Sequence, residues 1–459
     1  MIYLTMGEAI KKGLVLYRDI HDNKPPLLYI IAAVAGNVFW FRAILAAWSL
    51  ATIFLFWKLA QALFPSKKPL QKVATIIFAA LTTLPLFEGH VANAEVFMIG
   101  PIIVALLILF TKKLNFKNLF FAGTLFSAAT LFKFPAAFDF PVILIFWFIF
   151  LDFKRLWRDF VKKSIPLIIG FSIPIALSFL WYFLRGGLKE YIIAAFAQNI
   201  GYLSSWRPGA VAEPFLVKNG PLLIRTVVVG LGAFILFWLR KKLSRQFVFV
   251  CLWMLLSLFA ATLSERPYPH YLIQVVPSVS LLLAMLFTES SMEQVLVLIP
   301  LGLFVFTPVY YKFWYYPTTT YYARFIQFAS GKIDRQGYFA KFDGNVNRNY
   351  KIAEFIKSST APSDKIFVWG DSPPIYALTR RLPPGKYVAT YHIIDFSTRQ
   401  KTIETLEKDL PRFVVLLPDA PEFKELTYFL RENYIFVQDI EGAEIWFAAN
   451  PKIRALIAK

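Results

Sequence analysis

The chain has 459 residues, of which 57% are hydrophobic and 17% charged, whereas soluble domains average about 45–50% apolar and about a quarter charged. This composition excludes a single water-soluble core, and it excludes intrinsic disorder, which requires low hydrophobicity. The formal net charge of +20 would suit nucleic acid, but membrane proteins concentrate Lys and Arg in cytoplasmic loops. The lone cysteine, Cys251, lies in an apolar run, so neither a disulfide framework nor a cysteine zinc site is expected.

Apolar segments recur along the first 311 residues, and a bilayer-spanning helix needs roughly 20 mostly apolar residues. The sequence predicts about ten spans, at 41–63, 73–86, 95–111, 118–132, 135–151, 164–184, 221–239, 247–263, 269–288 and 293–311. The segment 25–40 is apolar but short, and it begins with Pro25 and Pro26. We interpret it as a helix lying along the outer membrane interface.

Basic residues occur in every second loop between the predicted spans. Clusters of Lys and Arg follow the first, third, fifth and seventh spans, at 67–72, 112–117, 154–163 and 240–245. Cytoplasmic loops carry such an excess, so these clusters indicate topology in a plasma membrane, and nucleic-acid binding is not expected. Because basic loops alternate with loops that lack this excess, the segments between them are placed on the outer face, namely 1–40, 87–94, 185–220, 264–268 and everything after 312.

The composition changes after residue 311 to a mixture of charged and apolar residues typical of a soluble α/β domain. The runs 365–370 and 412–418 predict buried strands, and 349–358 and 399–409 predict helices. The sequence therefore predicts a polytopic α-helical membrane protein in three parts. These are juxtamembrane helices on the outer face (1–40), a transmembrane domain (41–311) and a soluble extracytoplasmic α/β domain (312–459).

Four groups of polar residues lie on the predicted outer face, where a charge beside the membrane is costly and usually functional. They are Arg18, Asp19, His21, Asp22 and Lys24; Glu88, His90, Asn93 and Glu95; Lys133 and Asp139; and Arg266, His270 and Tyr271. Together they offer cations for an anionic group, carboxylates for acid–base chemistry and aromatic rings for a sugar or an isoprenoid chain. The histidines lack the spacing of a metal motif, so a divalent cation is left open as a cofactor. Solvated juxtamembrane turns are the alternative interpretation of the first group.

Three sequence blocks, in this order and spacing, resemble the bacterial branch of the GT-C glycosyltransferases. They are YRDIHDNKPPLLY (17–29), HVANAEVFM (90–98) and RPYPHYLIQVVP (266–277). The branch is the dolichyl-phosphate-mannose-protein mannosyltransferase-like family, kin to the lipid A aminoarabinose transferases. The resemblance implies a GT-C fold and an inverting transferase. Such an enzyme takes a sugar from a polyprenyl-phosphate donor and moves it to a lipid, glycan or protein acceptor outside the cytoplasmic membrane.

The resemblance also implies roles for individual residues. Lys24 matches the lysine that grips the donor phosphate, and the phosphate site would be completed by Lys133, Arg266, His270 and Tyr271. Glu95 is implied as a catalytic carboxylate, with Asp19 as a second candidate. Candidates for the acceptor and sugar side are Asp22, His90 and Asn93.

One part of the family pattern has no counterpart in this sequence. The family's main catalytic aspartate precedes a helix like the one predicted at 3–13, at the end of a first transmembrane helix. We therefore expect either an upstream span ending in an acidic pair or a chain that does not catalyse transfer. Asp19 and Asp22 are the nearest substitutes.

A transporter or lipid flippase is the main alternative function for a polytopic chain. Transporters place polar residues at the bilayer midplane and are commonly built from inverted repeats. The predicted spans carry almost no charge at mid-depth, and no repeat is evident. The sequence therefore favours the glycosyltransferase.

Overall fold

The computed structural model describes residues 1–150, 156–198, 214–264 and 266–449. Apolar helices dominate the first 310 residues, and each predicted span falls on one of them. The longer helices are Val38–Leu63, Lys68–Thr83, Ala94–Thr111, Phe116–Phe132, Phe140–Phe150, Leu156–Leu184, Phe215–Leu239, Arg245–Ala261, Val276–Thr288 and Leu298–Tyr310. Short helical turns connect them at Pro85–Phe87, Phe134–Asp139, Leu188–Ile192, Ile193–Ala197, Pro269–Gln274 and Met292–Leu296. Two parts of the topology prediction lie outside the described residues. They are the basic residues Lys154 and Arg155, and residues 199–213 of the predicted outer loop.

Five of the described helices are long and apolar enough to cross a membrane, and four shorter apolar helices lie among them. The chain is therefore an integral membrane protein with a polytopic helical fold, as the sequence predicts. At one end of the helical bundle, Lys67 Nζ lies 2.6 Å from Glu289 Oε2. At the same end, Ser244 Oγ donates a hydrogen bond to Glu293 Oε2 at 2.8 Å. The loops that follow the first and seventh predicted spans thus contact the segment that connects the last two predicted spans.

Small residues allow a close helix crossing in the bundle, between Phe116–Phe132 and Leu156–Leu184. A Cβ added to Gly123 would lie 2.1 Å from the carbonyl oxygen of Leu167, and one added to Gly170 would lie 2.0 Å from that of Phe120. Moving an apolar side chain from lipid to a helix interface gains no hydrophobic free energy, so helices in a membrane associate through close packing. The two glycines therefore determine how closely these helices approach.

The N-terminal segment forms two helices, Ile2–Lys11 and Leu27–Ala35, that pack against each other. The single helix predicted at 25–40 is wrong in its extent, because Gly36 adopts the left-handed region (φ 67°) and ends the second helix. Asn37 then caps the first long helix, its side chain accepting a hydrogen bond from the backbone N–H of Trp40 at 2.9 Å. The break turns the chain from the juxtamembrane helix into the first span.

The C-terminal part is a four-stranded mixed sheet with helices around it. Its strands are β1 Ile366–Trp369, β2 Phe413–Leu416, β3 Tyr434–Ile440 and β4 Ala443–Ala448, in the order β1-β2-β4-β3. β1 and β2 are parallel and start in register at Ile366 and Phe413, and the other two pairings are antiparallel. The described helices of this part are Thr318–Ala329, Arg335–Ala340, Asn345–Ser358, Pro374–Thr379, Thr390–Phe396, Arg399–Lys408 and Lys424–Asn433. β1, β2 and two of these helices confirm the sequence prediction.

The two faces of the sheet have different partners. Phe367 and Val414 belong to a core shared with the helices Arg399–Lys408 and Lys424–Asn433. Ile366 and Val415 belong to another core, which includes Met6, Tyr17 and Tyr29 of the N-terminal segment. The N-terminal segment is therefore packed between the sheet and the helical bundle, and this arrangement builds the site described next.

Candidate active site

A cavity of about 790 Å³ opens where the N-terminal segment, the helical bundle and the C-terminal domain meet. It lies at the bundle end opposite the Lys67–Glu289 ion pair, because the helix Val38–Leu63 begins beside it and ends next to Lys67. Polar residues from every one of these parts line the wall: Asp22, Asn23, Lys24, Arg42, Asn93, Arg266, His270, Tyr271, Tyr391, His392 and Asp395. The structure thus brings together most of the residues that the sequence singles out.

A smaller recess of about 50 Å³ adjoins the cavity and shares Lys24 and Tyr271 with it. Lys133 also lines this recess, and its Nζ lies 3.5 Å from the centre of the Tyr271 ring. Lys24 Nζ lies 5.0 Å from the centre of the Tyr3 ring. The hydroxyl of Ser264, on the same recess, is buried and has no hydrogen-bond partner. Two ammonium groups and a free hydroxyl therefore border a space suited to a small anionic group.

Glu95 does not line the cavity, but it lies next to Lys133 of the recess and His270 of the cavity wall. It is 1% exposed and forms an ion pair with Lys133. Its Oε1 lies 3.7 Å from Nε2 of His270, whose Nδ1 contacts Glu88. Glu88 has a positive φ of 56° at the end of the turn Pro85–Phe87, which directs the chain towards His270. Glu95 is therefore placed to orient Lys133 and His270.

Asp22, which is buried, and Lys24, which is partly buried, lie close together on the cavity wall. Asp22 Oδ1 accepts a hydrogen bond from the backbone N–H of Asn23 at 2.8 Å, whereas Oδ2 has no partner. Burial acts to raise the pKa of Asp22, but the charge of Lys24, the nearby His392 and the hydrogen bonds together outweigh it, so the pKa is lowered. Burial likewise opposes the charge on Lys24, but Tyr3 and Asp22 outweigh it and raise the pKa well above its usual value. Both side chains are therefore ionised at neutral pH.

Asp19 and His90, two further predicted site residues, are not part of the cavity wall. Asp19 Oδ1 accepts a hydrogen bond from Arg18 Nε at 2.7 Å, and this contact lowers the pKa of Asp19. His90 packs against the ring of Tyr321, with the ring centres 4.7 Å apart, and burial lowers its pKa to about 4. The structure therefore gives both residues structural contacts away from the other site residues.

The overall fold is similar to that of solved membrane proteins. ArnT from Cupriavidus metallidurans, solved bound to undecaprenyl phosphate, matches with a TM-score of 0.59 and 13% identity, over 98% of this chain and 93% of that chain. The fold is ArnT-like. Two Archaeoglobus fulgidus structures also match, with 11% and 13% identity and TM-scores of 0.43 and 0.42, each over 98% of this chain and 70% of that chain. They are an oligosaccharyltransferase tethered with an acceptor peptide, and the oligosaccharyltransferase AglB with an inhibitory peptide and a dolichol-phosphate.

Comparisons of sequence cover less of the chain. The family described as "Putative competence-induced protein Ccs4 C-terminal domain" matches residues 346–445, which hold the sheet strands β1 to β3 and the first half of β4. No curated protein matches the chain. The similarity to the ArnT fold thus extends over almost the whole chain, and the residues of the candidate site come from both the helical bundle and the region of the family match.

Among the polar residues named above on the cavity wall, Asn23, Arg42, Tyr391, His392 and Asp395 were not predicted from the sequence. Arg42 stands in the first turns of the first long helix, where it was counted as part of a span. The sequence did offer a signal for Arg42, because this arginine follows an aromatic run at the start of an apolar helix. Tyr391, His392 and Asp395 come from one short helix of the C-terminal domain. No local pattern connects that helix with a site formed more than 100 residues earlier.

Asp139 has a supporting position below the recess. Its carboxylate accepts hydrogen bonds from Trp253 Nε1 and from Gln274 Nε2, each at 2.7 Å, and Gln274 itself lines the recess. Across the described ranges, no group of three His, Cys, Asp or Glu residues is placed to hold a metal ion. The divalent cation left open by the sequence therefore gains no candidate ligand set among these residues.

Proposed function

We propose that this chain is a membrane glycosyltransferase that moves a sugar from a polyprenyl-phosphate donor to an acceptor hydroxyl of a lipid, glycan or protein. The observation that carries the proposal is that Lys24 and Lys133 line one recess beside a large polar cavity. A phosphate at a membrane surface needs Lys or Arg charge to hold it. ArnT, whose fold the chain shares, was solved bound to undecaprenyl phosphate.

The phosphate would be held where the recess meets the cavity. Lys24 and Tyr271 line both spaces, while Arg266 and His270 approach from the cavity side and Lys133 from the recess. Positive charge at this position stabilises the phosphate as it leaves with both electrons of the broken bond. Glu95, which contacts Lys133 and lies near His270, acts in this proposal as a positioning residue.

The configuration of the anomeric carbon is inverted when the acceptor attacks the sugar from the face opposite the phosphate. The acceptor oxygen bonds to the anomeric carbon, the bond from that carbon to the phosphate oxygen breaks, and the hydroxyl proton passes to a carboxylate base. Asp22 suits the base best, because it lines the cavity, is ionised and has an unpartnered Oδ2. Asn93 lines the same wall and offers an amide to the acceptor. In this proposal Asp19 and His90 take no part.

The cavity end of the bundle would face away from the cytoplasm. The basic loops predicted to be cytoplasmic include those at 67–72 and 240–245, which meet at the opposite end. The donor lipid would then lie in the outer leaflet, with its phosphate at the level of Lys24.

Binding of undecaprenyl phosphate to the purified full-length chain tests the proposal. Lys24→Gln removes one ammonium group from the recess and keeps a polar side chain beside Asp22. We expect it to weaken binding by about 10- to 100-fold, the scale of one lost charged hydrogen bond. Lys117→Gln, at an exposed lysine on the basic end of the bundle, serves as the matched control and should bind as the wild type does. Absent binding, or equal binding by the Lys24→Gln and Lys117→Gln variants, would contradict the proposal.

A further inference from the structure

The C-terminal domain closes one side of the cavity through the helix Thr390–Phe396. Tyr391, His392 and Asp395 of this helix line the same space as Asp22 and Lys24. The domain is therefore a wall of the site as well as an appendage of the helical bundle.

Backbone hydrogen bonds hold this wall in place. The backbone N–H of Gly370 donates to Thr390 Oγ1 at 2.7 Å, and that of Tyr391 donates to Asp371 Oδ1 at 3.1 Å. On the other side, the backbone N–H of His21 donates to the carbonyl of Lys386 at 2.8 Å. The helix is thus tied to the residues that follow β1, and the segment just before the helix is tied to the N-terminal segment, which also carries Asp22 and Lys24.

Three buried polar atoms beside this wall have no hydrogen-bond partner. They are Nδ1 of His392, Nε2 of His21 and Oδ2 of Asp22, whose side chains are 3%, 4% and 4% exposed. The rings of His21 and His392 meet edge to face with centres 5.3 Å apart. Burial lowers the pKa of both histidines, to about 3 for His21, so both are neutral at pH 7. Unpartnered buried polar atoms are unfavourable for folding, and such atoms beside a cavity suggest a ligand that satisfies them.

The chemistry of this wall suits a ring that carries hydroxyl groups. A hydroxyl both donates and accepts, so it can pair with a neutral imidazole nitrogen and with a carboxylate. Tyr391, which is 40% exposed, offers an aromatic face beside these groups for the C–H side of such a ring. Asp22 lies two residues from Lys24, so a sugar attached to a phosphate at Lys24 would reach this wall.

We infer that Tyr391, His392 and Asp395 of the C-terminal domain hold the sugar ring of the donor and so determine which sugar is transferred. This inference rests on the proposed function. It assigns the phosphate to Lys24 of the N-terminal segment and to residues of the helical bundle, and it assigns the sugar to the C-terminal domain.

The test compares lipids with and without a sugar on the full-length chain in detergent. The probes are undecaprenyl phosphate alone and undecaprenyl phosphates carrying glucose, mannose, galactose or arabinose. The wild type should bind one sugar-bearing lipid more tightly than the bare lipid. His392→Ala and Tyr391→Ala should each reduce that preference about tenfold, the scale of one lost hydrogen bond or ring contact, and leave binding of the bare lipid within about twofold.

The controls separate a loss of recognition from a loss of structure. Tyr391 is partly exposed, so its truncation leaves the core intact even if the His392 variant folds poorly. Tyr428→Ala removes a tyrosine that is 66% exposed on the helix Lys424–Asn433, outside the cavity wall, and should change neither affinity. Equal weakening of bare and sugar-bearing lipids by Tyr391→Ala, or no change with any lipid, would overturn the inference. A wild type that binds bare lipid but prefers no sugar would also overturn it, whereas a wild type that binds no lipid contradicts the proposed function itself.

Discussion

The ammonium of Lys133 pairs with the carboxylate of Glu95 where the helix Phe116–Phe132 ends and the helix Ala94–Thr111 begins, and both side chains are almost completely shielded from solvent. The other carboxylate oxygen of Glu95 has no partner. A charge buried in this way is tolerated only because its partner is present. The pair therefore fixes the relative position of two helix ends that border the site.

Breaking this pair should destabilise the protein more than removing it entirely. Glu95→Leu leaves the Lys133 ammonium buried without its carboxylate, which we expect to cost about 3–5 kcal/mol. The double variant Glu95→Leu/Lys133→Met removes both charges and should recover most of that loss. Thermal unfolding of the single and double variants in one detergent measures both values. A double variant no more stable than Glu95→Leu would show that the two side chains are not coupled.

The close crossing at Gly123 and Gly170 leads to a second stability prediction. Gly123→Ala places a methyl group against the carbonyl oxygen of Leu167, so the two helices must move apart. We expect a loss of about 1–3 kcal/mol, as for overpacking in a core. Gly302→Ala, where an added Cβ meets no neighbouring atom within 4 Å, is the matched control and should leave the unfolding temperature unchanged or slightly raised. Similar unfolding temperatures for the two variants would contradict the packing argument.

The sequence predicted the helical bundle because long apolar segments in a membrane protein have few alternatives to a helix. It missed the hairpin of β3 and β4, whose turn carries Glu441 and Gly442 at positive φ values of 52° and 81°. The acidic–glycine pair between two alternating runs was a usable hairpin signal. The break at Gly36 was also visible as a glycine followed by asparagine, but the apolar residues on both sides concealed it.

The proximity of the two lysines of the candidate site was predictable because both stand out against apolar surroundings. Lys24 and Lys133 occur where topology does not call for positive charge, and the structure places both on one recess. The opposite wall was not predictable in the same way. His392 lies in a segment of ordinary soluble composition, and its position beside Asp22 depends on how the sheet packs on the N-terminal segment.

The buried His21 predicts a pH dependence of stability. Burial, together with the nearby His392, lowers the pKa of His21 from 6.5 to about 3 in the folded chain. The unfolded chain therefore binds more protons below pH 6.5, so this contribution to stability is full above pH 6.5 and is lost as the pH falls towards 3. Between pH 7 and pH 5 the loss should be about 2 kcal/mol, at roughly 1.4 kcal/mol per pKa unit.

The variant His21→Phe tests this contribution. Phenylalanine retains an aromatic ring among Tyr387, His392 and Phe396, which surround His21, but it cannot take up a proton. We expect the unfolding temperature of the variant to fall less than that of the wild type when the pH is lowered from 7 to 5. Parallel curves for the two proteins would assign the acid sensitivity to other groups.

The orientation of the chain in the membrane gives the last prediction. If the basic loops are cytoplasmic, the cavity and the C-terminal domain lie on the other side of the membrane, where a polyprenyl-linked donor in the outer leaflet can reach Lys24. Alkaline phosphatase folds to its active form outside the cytoplasm, because its disulfides need an oxidising compartment. A fusion after Ser330, which follows the helix Thr318–Ala329, should therefore be active. A fusion after Leu243, in the loop whose Ser244 contacts Glu293, should be inactive at matched expression. The reverse pattern would place the cavity in the cytoplasm, and a donor in the outer leaflet would then be excluded.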